Sequence, residues 1–145
     1  MFTRTSTAVW RGTGMEGQGT LSTHSGAFKD QPYSFKTRFA SEDGKAGTNP
    51  EELVGAAHAG CFAMALSFQL SGAGHPPQEL AVTATVKMEK KDIGWTIEKI
   101  QLDLVGKVAG IDAAKFQDLA EKAKAGCPIS RALASVPISL NAKLA

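Results

Sequence analysis

The chain has 145 residues, of which 43% are hydrophobic and 21% charged, with a formal net charge of +2. That length accommodates one domain with a substantial hydrophobic core, and the composition is that of an ordinary globular protein, so extended disorder is excluded. A small charge of mixed sign offers no basis for holding nucleic acid or an anionic membrane.

The N-terminal stretch from Met1 to Trp10 has no basic run followed by a long apolar one. The most apolar segment further on is interrupted by His58, Gly60 and Gln69, so no membrane span is expected and the protein reads as cytoplasmic. In a reducing compartment the only two cysteines, Cys61 and Cys127, are expected to form a transient bridge rather than a permanent staple.

Short strands are predicted over residues 7–10, 20–23 and 33–39, separated by turns at Gly12, Gly14 and Gly17 and at Ser25-Gly26. In the third, Tyr33, Phe35, Thr37 and Phe39 alternate onto one face and Arg38 falls on the other. After the polar loop Ser41 to Gly47, Asn49 is a good N-cap, Pro50 suits the first helical position and Glu52 can bond back in a capping box. The helix that follows runs to about Ser71. Beyond its first turn it is apolar all round, which predicts burial on all sides. Packing against its copy in a second chain meets that demand, with Gly55, Ala56, Ala59 and Gly60 permitting close approach, so an intimate homodimer is expected.

A breaker, Gly72 to Pro77, precedes strands over 81–88 and 95–105. These form a hairpin through the charged Glu89-Lys90-Lys91-Asp92 and Gly94. Asp112 caps an amphipathic helix whose Phe116, Leu119, Ala120 and Ala123 share one face, ending at Gly126. A short helix from Pro128 to about Ala134 and a strand over 137–143 complete the chain. This order predicts an α+β fold in one domain spanning residues 1–145.

Both cysteines sit where sulfur chemistry is plausible. Cys127, at a helix start with free amide donors, is the one that local geometry activates, whereas a thiol inside an apolar helix is ordinarily inert and needs a cationic partner to become a thiolate. Local features leave their two roles unassigned. His58, three residues before Cys61, shares its helix face and reads either as a base or as a hydrogen-bonded core histidine. A zinc site from Cys61, Cys127, His58 and His75 lacks the close cysteine spacing of structural zinc ligands. A guanidinium such as that of Arg38 stays charged in any environment, stabilises a thiolate and donates in a fixed fork. A carboxylate such as Glu51 would hold that fork. Glu51 lies about 15 Å from Cys61 along an α-helix, so within one chain it cannot touch the sulfur; a partner's Glu51 in an antiparallel helix pair can approach it.

The runs Thr48-Asn49-Pro50-Glu51-Glu52-Leu53, Ala57-His58-Ala59-Gly60-Cys61-Phe62 and Ala123-Lys124-Ala125-Gly126-Cys127-Pro128-Ile129-Ser130 closely resemble the osmotically inducible protein C (OsmC) family of organic hydroperoxide reductases. Gln31-Pro32-Tyr33-Ser34-Phe35, Thr37-Arg38-Phe39 and Gly110-Ile111-Asp112-Ala113 extend the resemblance over nearly the whole chain, with Gly60 standing where the motif has alanine.

The resemblance implies an OsmC-like fold, with antiparallel strands wrapped around a long buried central helix in an interlocked homodimer carrying two interfacial sites. It implies that Cys61 is the peroxidatic thiol, Cys127 the resolving one, and Arg38 with Glu51 the activating pair, for which Arg4 and Arg11 are rivals to Arg38. Phe39, Phe62, Met64 and Phe68 are expected to line an apolar pocket that favours alkyl or lipid hydroperoxides. The implied cycle runs through a Cys61–Cys127 disulfide reset by a dithiol such as dihydrolipoamide or a lipoylated protein, in oxidative and osmotic stress defence. No metal, flavin or haem cofactor is expected. The rival reading is a non-enzymatic redox-sensing or small-molecule-binding dimer, although no DNA-reading helix or basic tail is recognisable through which it would signal.

Overall fold

The computed structural model describes residues 1–145 and separates into two compact units, Met1–Leu53 and Val54–Ala145. In the first, β1 (Ser6–Arg11), β2 (Gln18–Thr23) and β3 (Gln31–Ser34) form an antiparallel sheet in the order β1-β2-β3. Gly19 sits where a Cβ would strike the Trp10 ring at 2.7 Å, so the absence of a side chain lets Trp10 and Tyr33 tilt together with centroids 5.4 Å apart.

The strand expected over 33–39 ends at Ser34, and Phe35–Phe39 is a short helix, α1. Aromatic alternation argued for extended chain, but a capping box overrides it. Ser34 Oγ accepts from the Thr37 amide at 3.2 Å, and Thr37 Oγ1 accepts from the Ser34 amide at 2.9 Å. Arg38 is therefore not opposite the aromatic face: its guanidinium lies 4.8 Å from the Phe39 ring centroid.

Helix α2 (Pro50–Gly72) begins as expected, with the Glu52 amide donating to Asn49 Oδ1 at 2.8 Å. The Glu52 carboxylate does not close a capping box; it accepts from Thr48 Oγ1 at 2.8 Å. By length and composition alone α2 is apolar enough to cross a bilayer, a property it shares with the core helices of soluble proteins.

The second unit holds most of α2 and a sheet of β4 (Glu79–Lys91), β5 (Gly94–Lys107) and β6 (Ile138–Leu144), ordered β4-β5-β6. β4 and β5 form the expected hairpin, but Glu89, Lys90 and Lys91 belong to the strand. The loop is only Asp92-Ile93, closed by Gly94 at a φ of 113° that suits glycine. β6 pairs with β5 in parallel, so the sheet is mixed and not wholly antiparallel as expected. The crossover between them is helical: α3 (Ala113–Gly126) followed by α4 (Pro128–Ala132).

Inward residues of β5, Ile100, Leu102 and Leu104, meet the α3 face of Phe116, Leu119, Ala120 and Ala123 in one core. Phe62, Leu66 and Leu70 of α2 join it. Gly106 makes room for Phe116, whose ring would collide with any side chain there.

Within one chain α2 is not buried on all sides. Its buried stripe is Gly55, His58, Phe62, Leu66 and Leu70, at spacings of three and four that define one helix face. Met64 and Phe68, on another face, are 65% and 74% exposed. Gly55 does not serve a second chain, since a Cβ there would lie 3.4 Å from the Ala84 carbonyl of β4; Gly60 faces open space.

Candidate active site

In the second unit α2 carries Cys61 on the flank of its buried stripe, and the junction between α3 and α4 carries Cys127. Cys127 closes α3, its amide donating to the Ala123 carbonyl at 2.9 Å, and its carbonyl then accepts from Arg131 at 3.0 Å as α4 begins. Proline at the first position of α4 makes that restart cheap, because its missing N–H would have no helical partner.

This junction brings the two sulfurs together. Both are free thiols, and the Cys127 thiol donates to Cys61 Sγ at 2.7 Å. Cys127 is fully buried and Cys61 is half-buried. Burial pushes the Cys61 thiol above its ordinary pKa, and the Cys127 hydrogen bond adds to the rise. The Ile129 backbone amide opposes both by donating to Cys61. A donor at the start of α4, which local reasoning aimed at Cys127, thus acts on the other sulfur.

His58 makes no hydrogen bond to either sulfur. It is fully buried, its Nε2 is 2.7 Å from Ser130 Oγ, and its Nδ1 has no partner. Burial lowers its pKa and favours the neutral ring. The core-histidine reading therefore describes it better than the base reading. Ser130 was not anticipated, although a signal existed: it follows Cys127 by three residues, as His58 precedes Cys61 by three.

In the first unit Arg38 and Glu51 form an ion pair. Arg38 Nη2 donates to Glu51 Oε1 at 2.6 Å, and Nε reaches both carboxylate oxygens at 3.2 Å. Arg38 and Phe39 border a cavity of about 240 Å³ shared with Trp10, Tyr33 and Phe35. Arg4 is engaged with the Thr3 carbonyl and the Phe2 ring. Arg11 lines a different cavity of the same unit.

Of the four residues expected to line an apolar pocket, only Phe39 borders that cavity. Phe62 is corrected outright: it is fully buried in the core of the second unit, where the α2 stripe seats it. Met64 and Phe68 stand exposed on α2.

The family described as OsmC-like protein matches residues 42–141. The chain is 52% identical to the peroxiredoxin OsmC of Escherichia coli over 126 residues, covering 87% of this chain and 86% of that one. It is 32% identical to the organic hydroperoxide resistance protein OhrB of Bacillus subtilis over 94 residues, covering 64% and 67%. The crystal structure of that OhrB superposes with a TM-score of 0.67 at 26% identity, covering 97% of this chain and 98% of that one. An OsmC-like protein of unknown function from Vibrio cholerae superposes with a TM-score of 0.77 at 14% identity over 98% and 99%, a likeness of fold alone.

Proposed function

The chain belongs to the OsmC family and is a cysteine peroxidase, and from that premise we propose that it reduces organic hydroperoxides through a Cys61–Cys127 dithiol cycle. The observation that carries this reading is the 2.7 Å separation of the two sulfurs.

In the proposed cycle the Cys61 thiolate attacks the distal oxygen of the hydroperoxide. The O–O bond breaks, the alkoxide leaves as the alcohol after taking a proton, and Cys61 becomes a sulfenic acid. Cys127 then displaces the sulfenic oxygen as water and forms the disulfide. An external dithiol such as dihydrolipoamide, free or carried on a lipoylated protein, returns both sulfurs to thiols and is itself oxidised to a disulfide.

The assignment of Cys61 as the attacking sulfur rests on access: it is half-buried, while Cys127 is fully buried. Its raised pKa requires a compensating cation. Arg38, held by Glu51, supplies it in the assembled homodimer, where its fork also receives the peroxide oxygens. The exposed Met64 and Phe68, four residues apart on one face of α2, support that dimer, because adjoining exposed apolar side chains mark interaction surfaces. The aromatic cavity beside Arg38 accommodates the alkyl group, favouring organic hydroperoxides over hydrogen peroxide.

Stopped-flow consumption of tert-butyl hydroperoxide and hydrogen peroxide, with dihydrolipoamide and then glutathione as reductant, tests the proposal. Rapid organic peroxide loss with turnover on the dithiol is expected. Slow stoichiometric oxidation with every pair would replace this reading with that of a redox sensor.

A further inference from the structure

The buried hydrogen bond between His58 and Ser130 is not used by the proposed cycle, yet it stands beside the sulfurs. His58 lies on α2 three residues before Cys61, and Ser130 on α4 three residues after Cys127, so each lies about one turn along its helix from one sulfur. The bond at 2.7 Å joins α2, which carries Cys61, to α4, whose N-cap is Cys127.

An apolar side chain would fill the His58 position without leaving Nδ1 unpartnered in the core, a cost the imidazole incurs. What the imidazole adds is a bond with direction. Helix α4 needs one: it has only five residues, and no side chain caps its start. Its rotation decides where the Cys127 sulfur points and where the Ile129 amide meets Cys61.

We propose that His58 and Ser130 are positioning residues that clamp α4 to α2 and hold the Cys127 sulfur in line for disulfide closure with Cys61. The inference rests on the reading that this pair cycles through a disulfide, and it adds the element that makes closure favourable. Restraining the dithiol with its sulfurs in contact removes freedom that would otherwise be lost when the ring closes. The clamp therefore raises the effective concentration of one thiol at the other, both against sulfenic acid and against an external disulfide.

The test measures the equilibrium of the folded protein with glutathione, in which two glutathione thiols reduce the Cys61–Cys127 disulfide and leave as one glutathione disulfide. Wild type, Ser130→Ala, His58→Phe and the double variant are compared well below their unfolding temperatures. Each single change is expected to lower the closure constant about tenfold, a shift of about 30 mV toward a more oxidising potential. The double variant is expected to fall no further, because both changes break one bond. A loss of fold stability without clamp loss would leave this constant unmoved. An unchanged constant in Ser130→Ala, or additive losses in the double variant, would overturn the clamp, and Ser130→Ala alone decides if His58→Phe does not fold. Peroxide consumption by wild type is read in parallel. A protein that closes its disulfide in a Ser130-dependent way but leaves tert-butyl hydroperoxide intact would refute the peroxidase cycle and uphold the clamp.

Discussion

Arg38 grips Glu51 with two nitrogens, Nη2 at 2.6 Å from Oε1 and Nε at 3.2 Å from both oxygens. The Glu51 side chain is 13% exposed against 36% for Arg38, so the carboxylate is the more shielded partner and orients the fork. Arg38→Met is expected to slow peroxide consumption about 100-fold, the scale of losing a preorganised charge at a reacting centre. Arg38→Lys should recover little, because a point charge cannot span both oxygens. Glu51→Gln should cost about tenfold, since a carboxamide lacks the charge and replaces one accepting oxygen with a donor. Stopped-flow peroxide loss reads all three, and full activity in Arg38→Met would remove the guanidinium from the mechanism.

The pH dependence follows from Cys61. Burial and the Cys127 hydrogen bond raise its pKa, and the thiolate is the nucleophile, so reactivity must rise with pH. In Arg38→Met the peroxide rate is expected to climb about tenfold per pH unit through neutrality and to level off above the ordinary thiol range of about 8.5. Wild type should level off at lower pH. Superimposable profiles would show that Arg38 does not tune this sulfur.

Acid stability is set in part by His58. Burial lowers its folded pKa below the unfolded value near 6.5, so below about pH 6.5 the unfolded chain binds a proton that the folded one refuses. Stability at neutral pH is therefore lost as pH falls from about 6.5 toward the folded pKa, by at most about 1.4 kcal/mol per unit for one proton. Urea denaturation at intervals between pH 7 and pH 5 should show this slope in wild type and a shallower one in His58→Phe. Equal slopes would mean that the ring titrates freely in the fold.

Phe62 and Phe68 lie six residues apart on α2 and are expected to behave oppositely. Phe62 is fully buried, so Phe62→Ala should cost about 3 to 5 kcal/mol of stability through lost packing and a cavity. Phe68, 74% exposed, should change stability of the isolated chain little. In the proposed dimer, Phe68→Asp should shift sedimentation from dimer to monomer. An unchanged dimer would place the interface on another face.

Local signals were readable where short-range contacts dominate. The Asn49 and Asp112 caps follow from side chains reaching amides three residues away, and the buried face of α3 from the helical spacing of Phe116, Leu119, Ala120 and Ala123. Alternation of Tyr33, Phe35, Thr37 and Phe39 points to a third strand, yet the equally local reciprocal Ser34–Thr37 bonds start a helix there. A helix apolar all round has no period to separate the core stripe that holds Phe62 from the exposed one that holds Met64 and Phe68.

The sequence by itself determined the helix caps, the apolar character of α2 and the two cysteine-bearing motifs, because each depends on residues within one or two turns of each other. Only the tertiary structure decided that Cys61 and Cys127 touch across 66 residues and that His58 and Ser130 bond across 72. Those contacts depend on the parallel β5–β6 pairing and the helical crossover it requires, which carries the α3–α4 junction back onto α2. Such a junction is set by how the sheet and the core pack together, a free-energy balance over many distant residues that no local period encodes.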